Sequence, residues 1–249
     1  MLDQRLATRV ENFVSRLKRE SVCMHGFILD VRGEVKATAY YSPFEEGKAH
    51  RMYSVSKSMT ALAIGLLLDE GKISLDDCIA DYFRDFLPEK PDARLMRLKI
   101  RDMLRMATCY RATVYRETDD DWTKPFFTAE PTHEPGTVFH YDTGCSQVLA
   151  ALVARLTGQQ VMDYLTARVF TPLGANDEKH WLCDPAGTCQ GGTGLCMSLR
   201  DLHKVTRLLM DGGRGILPEW FCREMTKKHI DNLSLIHISE PTRRVVISY

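Results

Sequence analysis

Apolar positions along the chain change period several times, and each change predicts an element. Leu2, Leu6, Val10, Phe13, Val14 and Leu17 line one face of a helix over Leu2 to Arg19. Two short strand-like runs, Gly26 to Val31 and Glu34 to Tyr41, flank Arg32-Gly33 and predict a hairpin. Such a pair is marginal alone and needs more strands or a helix to cover it. Ser42 to His50 is loop. The next stretch, RMYSVSKSMTALAIGLLLDEG from Arg51 to Gly71, opens with a polar run. From Lys57 to Leu68 nearly every residue is then apolar or small, which predicts a helix buried on all sides with Gly71 as its C-cap.

Downstream the pattern is mostly helical. Ser74 to Phe86 reads as an amphipathic helix and Leu98 to Ala107 as a short one. Cys109 to Pro135 is irregular, acidic and aromatic, with Trp122, Phe126 and Phe127. A loop of that length in a compact domain is more often functional than idle. After an extended Thr137 to Tyr141, a helix runs from about Gly144 to Leu156 and is capped near Gly158. Gln160 to Phe170 continues helical. Gly191, Gly192 and Gly194 form a tight loop that lacks the order of a phosphate-binding motif. Ser198 and Asp201 form a capping box for a helix to Met210, and Pro218 starts a last helix to about Lys228.

Composition narrows the class. The 249 residues are 44% hydrophobic and 27% charged, and Lys plus Arg equals Asp plus Glu at 33 each. That is an ordinary globular balance, with no field favouring nucleic acid or an anionic membrane. The eight cysteines are scattered without a CxxC pair, which predicts buried, reduced thiols. Cys189 and Cys196 lie near histidines but lack paired zinc spacing, so no metal or cofactor is expected. The N-terminus has charges throughout and no apolar signal core. No run reaches the roughly 18 apolar residues of a membrane span. The expectation is a cytoplasmic protein with no membrane segment.

Candidate chemistry lies in SVSK. Ser54 and Lys57 are three apart and so neighbours on a helix. Ser15 and Lys18 share that spacing, and the bare pattern arises by chance about once in a chain this long. Context separates them: Ser15 lies mid-helix on an amphipathic element, while Ser54 opens a buried one. A serine hydroxyl needs a partner to take its proton. A lysine can be that base when burial disfavours its charge, or a cation that favours a neighbour's anion. A helix N-terminus adds partial positive charge and free N–H groups for an oxyanion. No GxSxG elbow exists, against an α/β-hydrolase, and none of the eight histidines sits in a catalytic motif.

Several blocks in order carry a resemblance: RMYSVSKSMTALAIGLLLDEGKISLDD, LKIRDMLRMAT, EPGTVFHYDTG and QGGTGLCMSLRDLHKVTRLLMDGG. Together they resemble the class C β-lactamase-related serine hydrolases of the β-lactamase and penicillin-binding-protein-like superfamily. The resemblance covers nearly everything from Gly26 to Asn232. It implies an α+β, β-lactamase/transpeptidase-like fold: an antiparallel sheet flanked by helices, with a helical region inserted. It implies one catalytic domain over 1–232, with an N-terminal helix and hairpin in 1–53 and a mostly helical part in 54–232. By the same resemblance Ser54 is the acylated nucleophile, Lys57 the lysine of its motif, and Tyr141 the tyrosine of the second motif. Either Tyr141 or Lys57 is the base. Thr143 stands where asparagine is usual and is expected at the substrate; the lost amide donors make a lactam substrate less expected. The function implied is hydrolysis of a small ester, amide or peptide through a Ser54 acyl-enzyme. The alternative is a non-catalytic, penicillin-sensing or regulatory domain.

The third motif of that family, KTG or HxG on a late strand, is absent. Leu233 to Arg243 reads LSLIHISEPTR, which resembles translated adapter sequence from sequencing libraries. The expectation is that 233–249 is a non-native tail, that the sheet is therefore incomplete, and that the chain as written is an inactive fragment.

Overall fold

The computed structural model describes residues 4–231. The adapter-like stretch 233–249, and Leu2 of the first predicted helix, lie outside the described residues. The apolar run after Lys57 forms α2 (Val55–Asp69), in which Leu62, Ala63, Ile64 and Leu67 have no exposed surface. It ends as its glycine predicts. Gly71 takes φ 65, its N–H donates to the Leu68 carbonyl, and Lys72 N reaches back to Leu67 O at 3.0 Å. This 6→1 bond satisfies a carbonyl the helix leaves open.

A second buried helix, α5 (Thr143–Thr157), packs against α2. Its Cys145, Val148, Ala150, Leu152 and Val153 are likewise fully buried. Each of the fully buried valines and leucines contributes about 1.5–3 kcal/mol of burial free energy. Shorter helices surround the pair: α3 (Ile100–Leu104), α4 (Pro125–Thr128) and α6 (Val161–Leu165), which runs into a π-helical turn over Thr166–Phe170. Aromatic rings join them. Phe83 stacks on Phe127 with centroids 4.7 Å apart, and Tyr110 meets Phe126 edge-on at 4.9 Å.

The predicted hairpin is present as β1 (Gly26–Val31) and β2 (Glu34–Tyr40), paired antiparallel from Gly26↔Tyr40 to Val31↔Glu34. Arg32 (φ 55) and Gly33 (φ 88) supply the two left-handed residues that such a two-residue turn requires. A second antiparallel sheet has the order β3-β5-β4, built from β3 (His50–Arg51), β4 (His180–Trp181) and β5 (Leu195–Met197). Strands of two or three residues carry no readable period, so this sheet was not foreseen. The described residues thus hold two small antiparallel sheets among mostly helical chain.

The N-terminal helix, α1 (Gln4–Arg19), buries none of its residues, and Phe13 meets Phe27 of β1 edge-on at 5.8 Å. Ser15 and Lys18 are both exposed. In α7 (Leu199–Met210), the Ser198 hydroxyl accepts from Asp201 N at 3.0 Å. The Asp201 carboxylate instead meets Asp177 N, Lys179 and Lys204, so the predicted capping box is half formed. The last described helix is α8 (Glu219–Met225).

Two expectations need correction. Ser74 to Phe86 is not one helix but two 3₁₀ turns, Ile79–Tyr82 and Arg84–Phe86. Its backbone is spent elsewhere: Ile79 N donates to Leu98 O, while Ile100 N and Arg101 N donate to Asp77 O and Leu75 O. Of the cysteines, Cys109, Cys145, Cys189, Cys196 and Cys222 are buried, but Cys23 and Cys183 are exposed.

Candidate active site

Ser54 is the N-cap residue of α2, and the chain turns tightly to place it. Met52 N donates to Leu195 O at 2.7 Å, tying the approach to β5. Tyr53 then adopts φ 45, a conformation costly for a residue with a side chain and common where function over-determines the backbone. The first turn closes through Val55 N, Ser56 N and Lys57 N to the carbonyls of Met52, Tyr53 and Ser54. Among the described residues the Ser54 N–H has no acceptor, which leaves it free to donate to an oxyanion.

Lys57 is 7% exposed, and its amino group needs partners at that depth. It finds three. Nζ donates to Ser54 Oγ at 3.3 Å and to the Gly192 carbonyl at 2.8 Å, and it lies 4.9 Å from the centre of the Tyr141 ring.

The glycine loop has a steric purpose that its sequence did not disclose. A Cβ on Gly192 would fall 2.5 Å from Thr143 Cγ2 and 3.2 Å from Lys57 Nζ; one on Gly191 would fall 2.1 Å from Ser146 O. Only glycine lets this backbone approach both buried helices. The polar positions of α2 hold it there. Thr60 Oγ1 donates to Gly191 O at 2.8 Å, and Ser56 Oγ accepts from Leu195 N at 3.1 Å. From α5, the Gln147 side chain accepts from Gly191 N and donates to Asp184. The available signal was Ser56, Lys57 and Thr60 on one face of an otherwise apolar helix.

Tyr141 lies in the irregular stretch just before α5 and is 42% exposed. His140 N donates to Met106 O just before it, and Asp142 caps α5 just after. Asp142 Oδ1 accepts from Gly144 N at 2.7 Å and from Thr113 Oγ1 at 2.8 Å. Its Oδ2 is buried without a hydrogen-bond partner among the described residues. Burial pushes this carboxyl above the usual range. Thr143 is half-buried, with its methyl toward Gly192 and its N–H donating to Thr113 Oγ1 at 3.0 Å.

The structure thus gathers Ser54 Oγ, the Gly192 carbonyl and the Tyr141 ring around Lys57 Nζ, with the Thr143 methyl against Gly192. Among the described residues the Tyr141 hydroxyl makes no hydrogen bond to Ser54 or Lys57; the ring face makes the contact. Sequence reasoning missed Gly192, Asp142 and Gln147. A cavity of 870 Å³ lies elsewhere, at α7 and α8, where Asp69, Arg214 and Glu219 line it. Among the described residues no group of three or more His, Cys, Asp or Glu is placed to hold a metal ion, and no helix is long and apolar enough to cross a membrane.

Known proteins share this arrangement of chain. The 6-aminohexanoate-dimer hydrolase of Paenarthrobacter ureafaciens is 27% identical over 225 residues, covering 84% of this chain and 57% of that protein. This chain therefore spans a little over half of that relative's length. The octameric penicillin-binding protein homologue from Pyrococcus abyssi superposes with a TM-score of 0.73 at 17% identity, over 91% of this chain and 61% of that one. The D-amino acid amidase from Ochrobactrum anthropi SV3 superposes with a TM-score of 0.63 at 20% identity, over 81% of this chain and 70% of that one. The Beta-lactamase family profile matches residues 26–232. By that match, which takes in α2, the glycine loop and both sheets, the chain belongs to the Beta-lactamase family.

Proposed function

We propose that this chain carries the nucleophile side of a serine hydrolase acting on a small amide, peptide or ester. The observation that carries the reading is the placement of Lys57 Nζ between Ser54 Oγ, the Gly192 carbonyl and the Tyr141 ring. Ser54 Oγ attacks the substrate carbonyl, and its proton passes to the base, which is either Lys57 Nζ as the neutral amine or Tyr141 as the phenolate. The negative charge that develops on the carbonyl oxygen takes the Ser54 N–H and the α2 N-terminus as partners. Collapse expels the amine or alcohol, which takes up that proton, and leaves Ser54 acylated. Water then attacks the acyl group and releases the acid.

A linear amide is favoured over a lactam. The Paenarthrobacter ureafaciens relative is named for a linear amide dimer and the Ochrobactrum anthropi neighbour for an amino acid amide. Thr143, at the substrate side of α5, offers a hydroxyl but no amide donor.

Labelling of the full chain with a fluorophosphonate tests the assignment. The probe is expected on Ser54 and lost in Ser54→Ala; labelling that survives the substitution refutes it. Removing such a nucleophile costs about 10⁶ in turnover. Competition separates the substrate classes: a linear 6-aminohexanoate amide should protect Ser54 from the probe better than a cephalosporin does.

A further inference from the structure

The backbone leading into the glycine loop carries two cysteines face to face. Cys183 and Cys189 form an antiparallel bridge. Asp184 N donates to Thr188 O at 2.8 Å on one side, and Gln190 N to Leu182 O at 2.8 Å on the other. The cysteines exchange no backbone bond with each other, so they are a non-hydrogen-bonded pair. In such a pair the Cα atoms lie about 4.5 Å apart and both side chains leave the same face. That spacing is inside the roughly 4.4–6.8 Å a disulfide spans. Burial first, and the adjacent Cys183 in addition, push the Cys189 thiol up to about 12, while Cys183 Sγ lies 3.7 Å from the Trp181 carbonyl. Cys183 is exposed and Cys189 is buried.

We propose that Cys183 and Cys189 are a thiol–disulfide exchange site that takes a small-molecule disulfide as its oxidant. Cys183, deprotonated by solvent, attacks one sulfur of the small disulfide. That S–S bond breaks, one thiolate leaves and takes up a proton, and Cys183 holds the other half as a mixed disulfide. Cys189 then loses its proton and attacks Cys183 Sγ, and the second small thiol leaves protonated. Two protein thiols are oxidised to one disulfide while one small disulfide is reduced to two thiols. The second step follows the thiolate fraction of Cys189, so closure quickens with rising pH.

The position gives the site a consequence. Gln190, the next residue, accepts from Trp181 Nε1 at 2.9 Å, and the Gly192 carbonyl two residues on holds Lys57. A closed 183–189 loop braces the backbone that leads into the glycine loop and its Gly192 carbonyl. The disulfide itself does not depend on the hydrolase reading.

The full chain, incubated at pH 8 in glutathione buffers of rising oxidised fraction, is alkylated and then digested with trypsin and Asp-N. Cleavage before Asp184 separates Cys183 from Cys189. A cross-link between peptides 180–183 and 184–200 is expected, kept in Cys196→Ser and lost in Cys189→Ser. A stable glutathione adduct on Cys183 without a cross-link overturns the proposal. So does a cross-link lost in Cys196→Ser, or alkylation of both thiols in the most oxidising buffer. The oxidised chain is expected to melt a few degrees higher, reversed by a reductant. An unchanged Tm with the cross-link present overturns the bracing.

Discussion

Two helices of this chain carry a serine three residues before a lysine, and only one of them encloses that lysine. α1 has 16 residues and α2 has 15. In α1, Ser15 and Lys18 face solvent, and no residue of the helix is buried. In α2, Lys57 is enclosed and meets a carbonyl and an aromatic ring from distant parts of the chain. The spacing alone puts the two side chains side by side in either helix. What differs is water. Exposed groups interact weakly in high dielectric, whereas a buried amino group must be held by fixed partners, and those partners fix its position against the serine.

The sharpest way to break this comparison is packing. Leu62→Ala on α2 is expected to cost about 2–5 kcal/mol. Phe13→Ala on α1 is expected to cost under about 1 kcal/mol, because Phe13 is already 46% exposed. Urea unfolding of the two variants checks it; equal losses would mean that α1 is part of the core after all.

A smaller effect addresses the enclosure of Lys57. Gly192→Ala drives a methyl group toward Thr143 Cγ2 and Lys57 Nζ. Overpacking of this kind costs about 1–3 kcal/mol. Because the lysine must shift, fluorophosphonate labelling of Ser54 is expected to slow by about 5–100-fold. A normal rate in a destabilised variant would show that the carbonyl does not position Lys57.

The smallest effect is a pH dependence confined to the N-terminal layer. Asp30 of β1 accepts from His203 of α7 at 2.9 Å and from Gly33 N at 2.8 Å, with Arg207 at 3.7 Å. The His203 hydrogen bond, assisted by Gly33 and Arg207, holds the Asp30 carboxyl below the usual range. A carboxyl lowered in the folded state stabilises fully above its unfolded value, near pH 4, and stops doing so as pH falls through the lower folded value. Acidification is therefore expected to raise amide exchange in β1 and β2 before α2 and α5, after correction for intrinsic rates. Asp30→Asn should remove that dependence; loss of both regions together would make the hairpin part of one cooperative unit.

Much of this was legible from residues alone, for reasons specific to each. The hairpin turn was readable because Arg32-Gly33 must take left-handed conformations. α2 and α5 were readable because long apolar runs end at Gly71 and Gly158, both with positive φ. Ser74 to Phe86 departs from its helical spacing because the Ile79 N–H and the Asp77 and Leu75 carbonyls pair with segment 98–101. The β3-β5-β4 sheet escaped because its strands are too short to show a period.

The sequence by itself determined which helix is buried, which serine opens it, and which lysine lies one turn further on. Those are local consequences of period, capping residues and spacing. The tertiary structure alone decided what stands opposite that lysine. The Gly192 carbonyl is 135 positions away along the chain. The Tyr141 ring face likewise comes from a segment whose pairing with α2 no local pattern encodes. Such contacts depend on how closely separate backbones can approach, and at Gly191 and Gly192 that approach is permitted only because no Cβ stands in the way.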